Sequence, residues 1–141
     1  MIHEGKGHWM DGLDHSAISW ISNFIRNPFP KKVVWKQDDV THNRFYWLKV
    51  IKPTKDALII ASIVNQTITI EESSVDEFII MLNDDLINMD NKIKVVFGGE
   101  VLHNALVLRD PSVIERSINE YGDPESIYFG EIFITLNQKT K

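Results

Sequence analysis

In the first part of the chain, apolar residues recur at helical spacing once. Ile18, Ile21 and Ile25, with Ala17, Trp20 and Phe24 widening the stripe, predict one amphipathic helix over Asp14–Asn27, about three turns long. Asp14 or Ser16 supplies a side-chain oxygen for an orphan N–H at its start. Pro28 and Pro30 stop it, because each lacks a backbone donor and biases its predecessor away from helical dihedrals. Asn27 to Lys32 therefore reads as a stiff boundary. Beyond it the period shortens to that of strands. The segments are Val33–Trp35, Arg44–Ile51 (RFYWLKVI), Ala57–Val64 (ALIIASIV, apolar enough for burial on both faces), Thr67–Glu71, Glu77–Leu82, Lys92–Phe97, Glu100–Leu108 and Ile127–Leu136. Gly98-Gly99 between two of these predicts a tight hairpin, since glycine accepts positive φ. Gly130 suggests a bulge. Asp110–Tyr121 predicts a short helix, with Pro111 in its first turn and Gly122 as its stop. About seven or eight short strands and two helices imply a mainly β, antiparallel sandwich, preceded by one amphipathic helix and carrying a short helix near the C-terminus.

Composition narrows the partners. The chain has 141 residues, 43% hydrophobic and 25% charged, with a net charge of −5. That suits a single core of ordinary size and argues against disorder. The acidic balance opposes phosphate-driven nucleic-acid binding. No apolar run reaches the ~18–20 residues of a membrane span. There is no cysteine, hence no disulfide or thiolate chemistry. The opening MIHEGKGHWMDG lacks the basic and apolar regions of a signal peptide and does not open like a domain. The expectation is a C-terminal fragment with Met1 placed ahead of the natural chain. Residues 1–31 would be the tail of one domain plus a linker, and 32–141 a β-domain.

Candidate chemistry is sparse. His3, His8 and His15 lack the i, i+4 spacing of a helical zinc pair. His42 lies between strands. His103 lies within one, where a half-buried, hydrogen-bonded ring is the ordinary expectation. Asp84, Asp85, Asn88, Asp90 and Asn91 make an oxygen-rich run, but without the glycine and terminal glutamate of an EF-hand. Such residues also favour turns for local reasons. Asp38, Asp39 and His42 resemble a relay without a nearby serine. No metal or cofactor is expected. Trp35, Phe45, Tyr46 and Trp47 cluster near the start of the sandwich. If exposed, they would suit a carbohydrate- or protein-binding module, since aromatic faces pack on apolar C–H patches. In one continuous strand, Phe45 and Trp47 would point one way and Tyr46 the other, so at least one set would face the core.

The stretch Gly5-Lys6-Gly7-His8-Trp9-Met10, running into the helix, resembles the last loop-and-helix unit of an α/β-hydrolase. There the catalytic histidine follows the nucleophile and the acid in chain order. The wider sequence, from GKGHWMDG through RNPFPKKVVWKQDDVTHNRFYWLKV to FIIMLNDDLINMDNKIKVVFGGEVLHNALVLRD, is similar to bacterial hydrolases of the prolyl-oligopeptidase-like or putative esterase kind. The resemblance covers nearly the whole chain. It implies a catalytic His8, an upstream catalytic domain of the same protein as partner, and a periplasmic or extracellular location. Trp20, Ile21, Phe24 and Ile25 would pack on the missing sheet, or pair two copies of the chain. No G-x-S-x-G occurs in the sequence. Without nucleophile and acid, the chain by itself is expected to be inert.

Overall fold

The computed structural model describes residue 5 and residues 12–38 and 42–136. Two sheets face each other around one apolar core. The strands, in chain order, are β1 (Lys32–Lys36), β2 (Arg44–Phe45), β3 (Leu48–Val50), β4 (Leu58–Val64), β5 (Thr67–Ser73), β6 (Glu77–Leu82), β7 (Ile93–Phe97), β8 (Glu100–Ala105) and β9 (Gly130–Thr135). One sheet has the order β1-β4-β5-β7-β8 and the other β2-β3-β6-β9. Every pairing is antiparallel except β5 with β7, which run parallel because the chain visits the second sheet as β6 between them. The fold is thus the mainly antiparallel sandwich the patterning predicts. Helix α1 (His15–Ile21) precedes it, and helix α2 (Pro111–Tyr121) lies near its C-terminal end.

Burial follows the two-residue period. Ile59, Ala61 and Ile63 of β4 meet Ile68 and Ile70 of β5 and Ile93 and Val95 of β7 inside. The outward residues Leu58, Ile60 and Ser62 of β4 stay partly exposed, so β4 is not the doubly buried strand its apolar run suggests. That strand is β6. Phe78, Ile80 and Leu82 face the core, while Ile79 and Met81 are buried on the outer face of the four-stranded sheet. Side-chain hydrogen bonds tie helix α2 to this face. Arg116 Nη2 donates to Glu131 Oε1 (2.9 Å), Lys49 Nζ donates to Glu120 Oε2 (2.7 Å), and the Tyr128 N–H donates to Ser117 Oγ (3.1 Å). Its ends are as expected. The Asp110 carboxylate accepts from the Ser112 N–H, and Gly122 takes a left-handed φ of 57°.

Three local expectations change. RFYWLKVI is not one strand but β2, a two-residue turn and β3, with Tyr46 at φ 51°. Gly130 makes no bulge, since the β6–β9 register runs unshifted from Glu77↔Thr135 to Leu82↔Gly130. The irregularities fall instead at Ile60/Ala61 and Val95/Val96. Glu100–Leu108 leaves the sheet at Ala105. The Gly98-Gly99 hairpin forms as predicted, both residues at positive φ.

Candidate functional site

Helix α1 ends earlier than its apolar stripe. The Asn23 side-chain amide donates to the Ser19 carbonyl (2.8 Å) and Ser22 Oγ donates to the same carbonyl (2.9 Å). These bonds satisfy the last carbonyls locally, and the backbone tightens into i→i−3 turns at Asn23 and Phe24. No residue of the helix is buried. Ile18, Trp20, Ile21, Phe24 and Ile25 are all more than half exposed, Ile25 at 96%. Trp20 and Phe24 rest on each other with ring centroids 4.7 Å apart. The predicted Asp14 cap makes no side-chain cap bond.

The linker that follows is pinned to the sandwich along its length. Arg26 Nη2 donates to Asp123 Oδ2 (2.6 Å) and to Ser126 Oγ (3.1 Å). Phe29 meets the Tyr128 ring edge-on at 5.8 Å. The fully buried Trp47 donates its indole N–H to the Pro30 carbonyl (2.8 Å). Lys31 Nζ donates to the Asp85 carbonyl (3.1 Å) and to that of Leu86. Stiffness at Asn27–Lys32 thus comes from these contacts as well as from the prolines.

At the foot of the linker lies an open cavity of about 240 Å³, lined by Arg26, Pro28, Arg44, Phe45, Tyr46, Asp123 and Ser126. The β2–β3 turn supplies its aromatic wall. Phe45 stacks on Trp35 (6.2 Å, 28°) and meets Tyr46 edge-on (4.8 Å). Trp35 is buried, whereas Phe45 and Tyr46 remain 40% and 38% exposed. The rest of the lining includes the polar Arg26, Asp123 and Ser126. The hydrogen bond from Arg26 holds the Asp123 carboxyl below the usual carboxylate range, and reciprocally raises the arginine. Beneath them the Arg44 guanidinium sits 5.8 Å from the centre of the Tyr128 ring. Burial pushes the Tyr128 hydroxyl up to about 12.

Among the described residues, the candidates from the sequence are not assembled into one centre. His3, His8 and Asp39 lie outside the described residues. His15 opens α1, and His42 is exposed in the loop before β2. His103 is half-buried as expected, but its Nε2 is sealed from solvent with no hydrogen-bond partner. In the oxygen-rich run, Asn83 is the structural residue. Its amide donates to the Ile127 carbonyl (2.9 Å), and its side-chain oxygen accepts from the Leu86 N–H (2.9 Å). Arg109 donates to both carboxylate oxygens of Asp84 (2.6 and 3.1 Å) and also to Asp90 (2.8 Å). Its hydrogen bond keeps the Asp84 carboxyl low. Among the described residues, no three His, Asp or Glu side chains group to hold a metal ion, and no helix is long and apolar enough to cross a membrane. The groove at the β2–β3 turn could not be read from sequence, because its polar half comes from Asp123 and Ser126, far along the chain.

Comparison with protein-family models, with curated proteins and with solved structures gave no match.

Proposed function

We infer that the chain is the C-terminal accessory β-domain of a secreted bacterial α/β-hydrolase of the esterase or peptidase kind, joined to the end of its catalytic domain. One observation carries this reading: α1 presents an unpartnered apolar stripe, yet its linker is bolted to the sandwich. Burying a side chain such as Ile or Phe is worth roughly 1.5–3 kcal/mol. Five exposed ones on one short segment suit a helix that belongs against a neighbouring structure. A helix this short is also marginal in water without tertiary contacts. On the resemblance around Gly5–Met10, that neighbour would be the hydrolase sheet and His8 the general base for a serine supplied upstream. The sandwich then acts as a rigid buttress, its linker setting the angle at which it stands beside the active site.

The test uses the longer reading frame. The sequence preceding Ile2 is expected to encode a G-x-S-x-G elbow followed by an acidic partner. The protein made from that frame should hydrolyse p-nitrophenyl acetate, with His8→Ala lowering turnover on the order of 10⁴-fold or more. The 141-residue chain alone should be inactive. An upstream sequence without nucleophile and acid, or esterase activity in the chain alone, overturns the reading.

A further inference from the structure

We propose that the groove at the β2–β3 turn is a subsite for a neutral sugar ring of an oligosaccharide. This goes beyond the accessory-domain reading and does not depend on it. A pyranose has an apolar C–H face and a rim of hydroxyls, and the groove offers the complement of each. Phe45 and Tyr46 give a partly exposed aromatic wall that is already ordered, since Phe45 is backed by the buried Trp35 and Tyr46 is held edge-on to Phe45. An aromatic surface fixed before binding loses little rotamer freedom when a ligand stacks on it. In the same lining, Arg26 brings N–H donors, the Asp123 carboxylate brings acceptors, and Ser126 Oγ can do both. These groups hold one another in place through bonds of 2.6 and 3.1 Å, so their orientation is set by the protein.

Two further observations favour this ligand class. Tyr46 occupies the left-handed region at φ 51°, where an aromatic residue is strained and glycine or asparagine would be relaxed. A tyrosine there, in place of glycine or asparagine, sets a ring beside Phe45 at the surface. The charge of Arg26 is matched by Asp123, with Glu125 at 4.0 Å, so this guanidinium is already engaged by carboxylates rather than held open for a phosphate. With a net charge of −5 on the whole chain, an aromatic-stacked nucleotide is disfavoured. The cavity volume of about 240 Å³ lies below that of pockets enclosing drug-sized molecules, so it takes one ring of a longer, solvent-exposed chain.

The experiment titrates the 141-residue chain with cellohexaose, xylohexaose, mannohexaose and maltohexaose, followed by amide chemical shifts and intrinsic fluorescence. At least one of the four should bind with a dissociation constant of about 1 mM or tighter, with shifts centred on Phe45, Tyr46, Asp123 and Ser126. Tyr46→Gly removes the ring and suits the positive φ, so it should keep the fold while weakening binding on the order of tenfold. Asp123→Asn should weaken it as well, and Val64→Ser, remote from the groove, should not. The proposal is overturned if none of the four sugars binds at about 10 mM. It is likewise overturned if the shifts map elsewhere, or if Tyr46→Gly binds as well as the parent. Protection of Phe45 and Tyr46 by a protein partner with no sugar response would assign the groove to a protein interface instead.

Discussion

Single residues explain how tightly the two sheets are closed. Gly130 opens β9 where Met89 and the strand-to-helix crossing converge. A Cβ there would lie 2.8 Å from Met89 Cε, 3.0 Å from the Leu108 carbonyl oxygen and 3.1 Å from Val107 Cγ1. Met89 can swing aside, but the carbonyl cannot. Gly130→Ala should therefore cost about 1–3 kcal/mol, read as a lower urea midpoint at unchanged slope. His103 poses the opposite case. It pairs with the buried Val95 across β7–β8, and its Nε2 has no partner. A sealed, unpaired nitrogen costs more than an apolar atom in the same place. His103→Leu is expected to stabilise the chain by about 1 kcal/mol, a rise of a few degrees in Tm by calorimetry. A drop in Tm would show that the ring makes a favourable contact of its own.

At the level of elements, α1 and the sandwich answer to different forces. Exposed substitutions away from caps and networks shift stability by roughly ±0.5 kcal/mol. Ile21→Ser with Ile25→Ser should therefore leave the denaturation midpoint of this chain unchanged. In the longer hydrolase of the proposed function, the same pair should destabilise by several kcal/mol. Much of the element order was legible: the 3.6-residue stripe of α1, the alternation of β5, Gly98-Gly99, and the Asp110-Pro111 and Gly122 ends of α2. The misses have physical causes. In RFYWLKVI no glycine or asparagine marks the turn, so a strained Tyr46 is invisible to residue preference. The double burial of β6 goes with α2 being tied to the flanking strands β3 and β9, a tertiary fact. In NDDLINMDN attention falls on the polar residues and passes over Leu86, Ile87 and Met89, which are buried in the core. The groove and the linker clamp join residues nearly a hundred positions apart, beyond the reach of any local pattern.

Over the whole molecule, acid should be the condition that loosens the fold. The carboxyls of Asp84, Asp123, Glu71 and Asp110 are all held below their ordinary values, in each case chiefly by a side-chain hydrogen bond from Arg109, Arg26, Lys32 and Ser112 respectively. A carboxylate with a depressed value in the folded protein binds its proton more readily when unfolded. Its stabilising contribution is thus present above the unfolded value, 3.8 for aspartate, and is lost as the pH falls from there through the lower folded value. Tm measured from pH 7 downward should hold and then fall in that window. Asp84→Asn should show a lower Tm at neutral pH and a shallower acid limb, because Arg109 then keeps only Asp90. An unchanged acid limb would mean that the Arg109 clamp is too screened to matter.

The order in which the strands find their places has a consequence for synthesis. β6 sits between β3 and the last strand, β9, and the parallel β5–β7 pair must wait for the chain to return from the opposite sheet. Contacts this distant in sequence make slow folders, on the order of milliseconds to seconds. On the ribosome the four-stranded layer would stay one strand short, with β6 open along the edge that β9 later covers, until Thr135 has cleared the exit tunnel.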